Sequence, residues 1–268
     1  MKTANTSQQE VAFVLPAYNE EQDLPALLHR IHDTMQDKPF GYHIVVVDDG
    51  SKDRTAEIAR TAALTMPVRL IQHEVNKGLG AAMQTGLSAA MKEADFIATM
   101  DSDNSHDPEY ITEMVRMLNR NSSLDVVIAS RYQRGSIVKG VPYYRQMLSY
   151  GCFFMLKTLA PFRNVRDYST GFRCYRASVL QRVAKQYDGE LIKENGFVCQ
   201  LELLLKMRSI RATADEIPYT LRYDLKAGAS KLRIWRTVKR YFSVIWRHRR
   251  VLPAAESIPM ASTQPQRA

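Results

Sequence analysis

The chain has 268 residues, of which 45% are hydrophobic and 9% aromatic, so it has enough apolar side chains for a packed core and cannot be wholly disordered. Its net charge of +9 is concentrated, because residues 231–250 hold eight lysines and arginines and no acid, and the other 248 residues carry only +1. This distribution excludes a uniformly basic protein that coats nucleic acid and predicts a nearly neutral body with one cationic segment. The longest apolar stretch, 147–156, is about half the length of a membrane span, so we expect no part of the chain to cross a bilayer.

The first 130 residues alternate short runs rich in Val and Ile with segments of helical periodicity. The runs predict strands at 11–16, 43–48, 68–74, 96–101 and 125–131. The periodic segments predict helices at 20–37, 51–65, 80–93 and 108–120. Ser51 and Asp107 are N-cap candidates, with Pro108 at the first helical position. This alternation predicts an α/β fold with a doubly wound, mainly parallel sheet that binds ligands at the carboxyl ends of its strands.

The second half of the chain is less regular. We predict helices at 142–159, 177–185 and 198–208, strands at 170–176 and 212–219, and a last helix in the cationic segment. The polar residues 1–10 predict a flexible N-terminus rather than a signal peptide, and the composition after Pro253 predicts a disordered tail. Cys152, Cys174 and Cys199 are far apart, which predicts reduced thiols rather than a disulfide framework or a zinc site.

Acidic and polar residues follow three of the predicted strands: PAYNEE at 16–21, DDGS at 48–51 and DSD at 101–103. Because the carboxyl ends of parallel strands meet at one edge of a sheet, these clusters should converge. Asp101 and Asp103 are two residues apart, so in an extended segment both side chains point to one face and can share a cation. Carboxylate oxygens favour Mg²⁺ or Mn²⁺, which usually also hold substrate phosphates, although an isolated Asp-x-Asp is equally typical of a helix-capping loop.

Five motifs in order carry a resemblance to a known family: VLPAYNEE (14–21), VVVDDGSKDRT (45–55), NKGLGAAMQTGL (76–87), MDSDNSHDPEYI (100–111) and ASRY (129–132). With these motifs the chain resembles family 2 glycosyltransferases of the GT-A fold, and among them the dolichol-phosphate mannose synthases and polyprenyl-phosphate hexose synthases. The resemblance continues through YSTGFRCYR (168–176), GFVCQLELLLK (196–206), EIPYTL (216–221) and GASKL (228–232). We therefore divide the chain into a flexible N-terminus (1–10), a GT-A domain (11–230), a basic amphipathic membrane-surface helix (231–250) and a disordered tail (251–268).

The resemblance implies a nucleotide-sugar site at the sheet edge. Its residues would be Pro16, Tyr18, Glu20, Val47, Asp49, Asp101, Ser102, Asp103, Arg131 and Lys231. Asp49 would accept a hydrogen bond from the base, Ser102 would lie beside the ribose, and Asp101 and Asp103 would bind Mg²⁺ or Mn²⁺ on the diphosphate. Ser105 occupies a position that is Gln in some relatives and Ser in others.

The resemblance also implies phosphate-binding residues. Arg131, Arg145 and Ser149 match positions that contact phosphate oxygens, a task suited to the planar guanidinium group, and with Asp103 they are the predicted catalytic residues. Lys231 matches a lysine near the donor diphosphate. Many relatives have an arginine three residues before the glycine of the last motif, whereas this chain has Leu225 there. Lys226 and Arg222 are the candidate replacements.

Several of these residues also have structural interpretations. Asp49 could cap the following helix, Arg145 could be a solvated helix residue, and residues 76–80 could form only a turn. We expect His106 to pack beside the metal loop. Glu202, within an apolar helix, fits a buried structural partner as well as an acceptor-site residue.

The segment 194–202 lacks the Glu-Asp pair that supplies a base in many family 2 enzymes, and the chain lacks the Gln-x-x-Arg-Trp motif of the processive synthases. A sugar hydroxyl needs such a base, whereas a lipid phosphate is already anionic near neutral pH. We therefore predict direct, inverting displacement by a phosphate oxygen, without a covalent enzyme intermediate.

Apolar residues recur with helical spacing in the cationic segment, at Trp235, Val238, Tyr241, Phe242, Ile245 and Trp246. A helix with aromatic residues on one face and Lys and Arg elsewhere suits an anionic membrane surface, although the stripe could instead pack on the domain.

The leading hypothesis is a metal-dependent transferase that moves a hexose from a nucleotide sugar, GDP-mannose or a UDP-hexose, onto a polyprenyl phosphate. We expect it to be cytoplasmic, peripheral on the cytoplasmic face of the membrane, with no nucleic-acid partner. The alternatives are a UDP-sugar-dependent transferase that uses a lipid or small-molecule hydroxyl, and a non-catalytic nucleotide-sugar-binding membrane scaffold.

Overall fold

The computed structural model describes residues 8–225 and 234–248, and excludes the side chains of residues 144–146, 148 and 234–239. Strands and helices alternate along the first half, as the hydrophobic pattern predicts. The strands are β1 (Glu10–Ala17), β2 (Gly41–Asp48), β3 (Val68–Gln72), β4 (Phe96–Thr99), β5 (Val126–Ser130), β6 (Ile137–Lys139), β7 (Arg173–Arg176), β8 (Ala214–Pro218) and β9 (Thr220–Arg222). The helices are α1 (Leu24–Met35), α2 (Thr55–Ala62), α3 (Leu79–Ala90), α4 (Glu109–Arg120), α5 (Tyr143–Leu159), α6 (Ala177–Gln186), α7 (Val198–Ser209) and α8 (Ile234–His248).

Seven strands form one sheet in the order β3-β2-β1-β4-β7-β5-β8. All neighbours run parallel except β7, which is antiparallel to both β4 and β5. The predicted α/β fold with a mainly parallel sheet is therefore confirmed. A separate parallel pair, β6 and β9, was not predicted, because strands of three residues are too short to produce a readable alternation.

Helices cover both faces of the sheet. On one face α4 buries Ile111, Met114, Val115 and Leu118 completely, at the spacing of a single helical stripe. The burial of each such side chain contributes about 1.5–3 kcal/mol. On the other face Gly86 allows α3 to lie close to the sheet, since a Cβ at this position would come within 2.4 Å of the Val14 side chain.

Neither N-cap prediction matches the start of its helix. The N-cap of α4 is Pro108, one residue after the predicted Asp107, and the first helical residue is Glu109. Asp107 accepts a hydrogen bond from Glu109 N at the start of α4 (3.2 Å). The helix α2, however, begins at Thr55 rather than at 51, and the carboxylate of Asp53 accepts from Thr55 N (3.0 Å). Ser51 lies before α2, in the loop that follows β2.

One edge of the sheet collects the polar loops. The register pairs Ala17 with Asp48, so β1 and β2 end together, and β4 and β5 end at the same edge. Since β7 is antiparallel, Thr99 pairs with Arg173 and the residues that precede β7 also lie there. Within the described residues, no helix is both long and apolar enough to cross a membrane.

Candidate active site

The loops after β1 and β2 are fastened to each other. Asn19 N donates to Ser51 Oγ (2.9 Å), and the Asn19 side chain accepts from Lys52 N (2.9 Å). Glu20 N donates to Thr55 Oγ1 (2.9 Å). Asn19 adopts a positive φ of 51°, a conformation that Asn tolerates better than most residues. These bonds hold the two loops of the predicted nucleoside pocket in a fixed arrangement without any ligand.

Asp49 is buried and bonded within its own chain. Oδ1 lies 2.7 Å from His73 Nδ1 and accepts from Lys77 N (2.9 Å), while Oδ2 accepts from Gly78 N (2.6 Å). The segment before α3, residues 76–78, is thus bound to the end of β2 through one carboxylate, and residues 79 and 80 already belong to α3. Recognition of a base by Asp49 stays a prediction. In the structure its carboxylate accepts hydrogen bonds from the backbone amides of Lys77 and Gly78.

The other predicted nucleoside residues surround this arrangement. Tyr18 and Glu20 lie half-buried in the loop after β1. The carbonyl of Pro16 accepts a hydrogen bond from Ser102 Oγ (2.9 Å), which ties the end of β1 to the Asp-x-Asp loop. The side chain of Val47 packs in the core between the sheet and α3, so it is not part of the exposed edge.

The Asp-x-Asp loop is rigidly held. Asp103 Oδ1 accepts from both the backbone N–H (3.2 Å) and the hydroxyl (2.5 Å) of Ser105. Asp101 N donates to His106 Nδ1 (3.3 Å), and the buried His106 ring stacks on Phe172 with centroids 4.7 Å apart. The expectation that His106 packs beside this loop is confirmed.

The carboxylates of Asp101 and Asp103 fit a metal that arrives with its substrate. Among the described residues, no group of three or more His, Cys, Asp or Glu side chains could hold a metal by itself. Mg²⁺ is commonly bound by one or two carboxylates together with substrate phosphates and water. This donor set therefore suits an ion shared with a diphosphate rather than a closed protein cage.

Arg131, at the end of β5, forms a bidentate ion pair with Asp167. Nε and Nη2 each lie 2.7 Å from a carboxylate oxygen, and Nη2 also donates to Ser169 Oγ (2.6 Å). Burial alone would lower the pKa of Arg131, but the charge and hydrogen bonds of Asp167 outweigh it and raise that pKa. Burial alone would raise the pKa of Asp167, and Arg131 lowers it. Both groups are therefore charged at neutral pH.

Ser149 is joined to this pair through Tyr132. The Tyr132 hydroxyl lies 2.5 Å from Ser149 Oγ, and the Arg131 guanidinium lies 5.5 Å from the centre of the Tyr132 ring. Phe153 stacks on Tyr132, with the two ring centres 4.9 Å apart. Arg145 lies on the same helix as Ser149, but its side chain is outside the described residues.

The remaining phosphate-binding candidates are at the C-terminal end. Lys231 and Lys226 lie outside the described residues. Arg222 is described, and its guanidinium forms an ion pair with Asp224, with Nη2 2.9 Å from Oδ2. Leu225, which stands where many relatives have arginine, is exposed.

Glu202 is a buried structural partner. Its Oε1 lies 3.0 Å from Lys206 Nζ, and its Oε2 accepts from Lys193 N (2.9 Å) and Glu194 N (2.6 Å). Glu202 thus holds the loop at 193–196, and this loop contacts the segment before α3, where Asn195 Nδ2 donates to Lys77 O (2.9 Å). Of the two interpretations of Glu202, the structure supports the structural one.

The cationic helix α8 divides its apolar residues between two environments. Tyr241 and Val244 are buried against the domain, whereas Phe242 and Trp246 are 49% and 65% exposed. The predicted stripe therefore packs on the domain in part. Two arginines also reach the body: Arg240 donates to Asn195 O (3.2 Å), and Arg247 lies 2.6 Å from Glu194 Oε1.

Three residues at this edge are absent from the sequence predictions: Asp167, Ser169 and Gln200. Asp167 and Ser169 lie in the irregular stretch before β7, 36 and 38 residues from the arginine that they bind. Gln200 lies within α7, a helix that is mainly apolar and mostly buried. Asp167 lies close to Arg131 because β7 inserts antiparallel between β4 and β5. The sequence pattern does not predict this insertion.

Comparison with known proteins identifies relatives of this chain. The profile of glycosyl transferase family 2 matches residues 12–184. Dolichol-phosphate mannosyltransferase of Pyrococcus furiosus is 32% identical over 240 residues, which cover 89% of this chain and 63% of that protein. Polyprenol monophosphomannose synthase of Mycolicibacterium smegmatis is 31% identical over 228 residues, which cover 84% of this chain and 81% of that protein. The chain thus spans less than two thirds of the Pyrococcus relative.

Solved structures share the fold at low sequence identity. Glucosyl-3-phosphoglycerate synthase from Mycobacterium tuberculosis, in complex with Mn²⁺, uridine diphosphate and glucosyl-3-phosphoglycerate, superposes with a TM-score of 0.68. It is 18% identical, and the match covers 93% of this chain and 82% of the other. The same enzyme in complex with Mg²⁺ and uridine diphosphate gives a TM-score of 0.65 at 16% identity, with coverage of 93% and 82%. The resemblance inferred from the motifs is confirmed at the level of family and fold.

Proposed function

The chain belongs to glycosyl transferase family 2, and we propose that it transfers mannose from GDP-mannose to the phosphate of a polyprenyl phosphate in a reaction that requires Mg²⁺ or Mn²⁺. The relatives named as dolichol-phosphate mannosyltransferase and polyprenol monophosphomannose synthase support this choice of sugar and acceptor. The proposed location is the cytoplasmic face of the membrane, with α8 toward an anionic lipid surface.

One observation carries the proposal: a carboxylate loop and a bidentate arginine lie at the same sheet edge. Asp101 and Asp103 follow β4, and the Arg131–Asp167 pair joins the end of β5 to the segment before β7. The first pair would hold the cation and the donor diphosphate. The second would orient the acceptor phosphate, since phosphate oxygens suit guanidinium donors.

The ion pair with Asp167 determines what Arg131 can offer. Nε and Nη2 are engaged, whereas Nη1 makes no hydrogen bond to the backbone or side-chain atoms that the structure describes. The pair as a whole is nearly neutral. Arg131 therefore contributes a fixed, directed N–H group more than an excess of positive charge, which favours orientation of a phosphate over its general attraction.

In the proposed reaction an oxygen of the lipid phosphate forms a bond to C1 of the hexose, and the bond from C1 to the diphosphate oxygen breaks. The electron pair of that bond leaves with the nucleoside diphosphate, and the configuration at C1 inverts. The lipid phosphate is already ionised, so no side chain has to remove a proton. The cation that Asp101 and Asp103 would hold supplies neutralisation of charge on the leaving diphosphate.

The surface of α5 supports a lipid acceptor. Tyr143, Met147, Tyr150 and Phe154 are exposed and recur at intervals of four, three and four residues, so they share one helical face. Ser149, on the same helix, contacts Tyr132 beside the arginine pair. Soluble proteins seldom expose a contiguous apolar face of this kind unless it binds a partner, and a polyprenyl chain is apolar.

We expect the Asp103→Ala variant to lose about 100-fold or more of its turnover, because the charge on the leaving group is no longer balanced. Purified protein would be assayed with GDP-mannose, GDP-glucose, UDP-glucose and a short polyprenyl phosphate, with Mg²⁺, with Mn²⁺ and with chelator. Asp107→Asn is the matched control, because Asp107 lies in the same loop but on the surface, paired with Arg30.

Three outcomes would contradict the proposal. Transfer to a polyprenol but not to its phosphate would contradict the acceptor, and full turnover in chelator would contradict the metal. Transfer from UDP-glucose alone would contradict the donor.

A further inference from the structure

The side-chain amide of Gln200, the third residue of α7, is buried, and its oxygen lacks a hydrogen bond to the described residues. Gln200 is only 2% exposed, and its Oε1 has no hydrogen-bond partner within the described part of the chain. Buried side-chain polar atoms are nearly always paired, and an unpaired one destabilises the fold. Such a group calls for an explanation, and a ligand that completes the bond is one.

The amide lies beside the predicted metal ligand. A Cβ built on Gly171 would be 3.2 Å from Gln200 Nε2 and 3.1 Å from Asp101 Oδ1. Both side chains therefore border the same face of this glycine, which leaves room for them. Gln200 thus reaches the substrate edge of the sheet, even though α7 belongs to the packed layer behind it.

The backbone around Gln200 is held firmly. The buried Arg173 donates through Nη1 to Gln200 O (2.9 Å) and through Nη2 to Tyr168 O (3.0 Å). Thr99 Oγ1 donates to Gly171 O (2.6 Å). The unpaired amide is therefore not the product of a loose segment, since its own carbonyl is fixed by a buried arginine.

A comparison within the molecule shows how a structural glutamine is bonded here. Gln84, on α3, uses both ends of its amide: Oε1 accepts from Ile192 N (2.7 Å), and Nε2 donates to Gly189 O (3.0 Å). These bonds tie α3 to the loop before α7. Gln200 makes no equivalent side-chain bond to a described residue, so among those residues its amide does not tie one element to another.

We propose that Gln200 binds a hydroxyl group of the hexose in the nucleotide-sugar donor. The inference rests on the proposed function, in which the diphosphate lies at Asp101. The hexose is attached to the distal phosphate, so it is the next group beyond the diphosphate and carries hydroxyls that both donate and accept. An amide matches this chemistry, because it offers a donor and an acceptor that exchange places when the group rotates. It cannot remove a proton, so its task is to position the sugar and to select among hexoses.

The test is to compare the affinities of GDP-mannose and GDP, each with Mn²⁺, by titration calorimetry. Gln200→Met keeps the volume of the side chain and removes its polar end. It should weaken binding of GDP-mannose about tenfold, the effect of one lost hydrogen bond, and leave binding of GDP unchanged. The ligand-free variant should be at least as heat-stable as the wild type, because the side chain of Gln200 makes no hydrogen bond to a described residue that could be lost. Gln200→Asn, which keeps the amide but shortens its reach, should show the same separation of the two affinities.

The matched control is Thr112→Val. Thr112 Oγ1 is also buried without a hydrogen-bond partner in the described residues, but it lies on α4, on the opposite face of the sheet. This variant should change neither affinity. Equal weakening of both ligands by Gln200→Met, no weakening at all, or a large loss of heat stability would overturn the role of Gln200. Wild-type protein that binds neither ligand would instead contradict the proposed donor.

Discussion

The two sides of the sheet edge are constructed differently. On the donor side, single hydrogen bonds hold the loops: Asn19 N donates to Ser51 Oγ between the loops after β1 and β2, and Gly78 N, just before α3, donates to Asp49 at the end of β2. On the acceptor side, the main link is a buried pair of full charges, Arg131 and Asp167, and the neighbouring helix α5 exposes aromatic residues. The polar loops of the donor side are hydrogen-bonded to one another, whereas the acceptor side exposes apolar side chains of α5 to water.

This difference has an energetic consequence. A neutral hydrogen bond contributes about 0.5–1.5 kcal/mol, and one to a carboxylate such as Asp49 about 1.5–3 kcal/mol, so the donor side is held by several moderate contributions. A buried ion pair contributes little net free energy when intact, but removal of one partner strands a charge and costs about 3–5 kcal/mol. The acceptor side should therefore be far more sensitive to a single substitution than the donor side.

The largest effect is expected for Asp167→Asn. The change leaves Arg131 charged and largely buried without its counter-charge, so the free energy of unfolding at pH 7 should fall by about 3–5 kcal/mol. Because folding lowers the pKa of Asp167, its contribution is complete above the pKa of an unfolded aspartate, about 4, and is lost as the pH falls below it. The difference between wild type and variant in urea unfolding should therefore shrink below about pH 4.

Glu57→Gln provides the control, because Glu57 forms an exposed ion pair with Arg54 on the donor side. Its unfolding midpoint should match that of the wild type. If Asp167→Asn has an equally small effect at pH 7, the acceptor side is not held by its charge pair and the comparison fails.

The sequence predicted the two sides unequally. The donor loops follow directly from strand ends and local motifs, so Asp49, Asp101 and Asp103 could be assigned to one edge from the pattern alone. Arg131 was assigned through the family resemblance, and its partner Asp167 reaches it only because β7 inserts antiparallel between β4 and β5. Gln200 was missed for a related reason, since a single amide in an apolar helix has no periodic signal. The unsatisfied bond that distinguishes it exists only in three dimensions.

A smaller effect is expected on the donor side, for Asp49→Ala. The backbone amides of Lys77 and Gly78 lose their acceptor, and the cost of leaving them unpaired is about 2 kcal/mol. Hydrogen exchange at these two amides should become faster, while exchange in β5 stays as in the wild type. Ser51→Ala, which removes only the bond to Asn19 N, should cost about 1 kcal/mol or less. If the amides of Lys77 and Gly78 stay equally protected from exchange, Asp49 does not hold the segment before α3.

The smallest effect concerns α8, which adjoins the donor side through the loop at 193–196. Arg247 pairs with Glu194, but their side chains are 51% and 15% exposed, so solvent screens the pair and Arg247→Ala should reduce stability by no more than about 0.5 kcal/mol.

If α8 also faces an anionic membrane, the same variant should bind vesicles that contain phosphatidylserine about fivefold more weakly, since each basic residue near such a surface contributes about 1 kcal/mol. Arg120→Ala is the control, because Arg120 is exposed at the end of α4 and should not alter sedimentation with vesicles. Equal binding of wild type and Arg247→Ala would assign Arg247 to the domain alone, and the membrane-facing role of α8 would then depend on its exposed aromatic residues, Phe242 and Trp246.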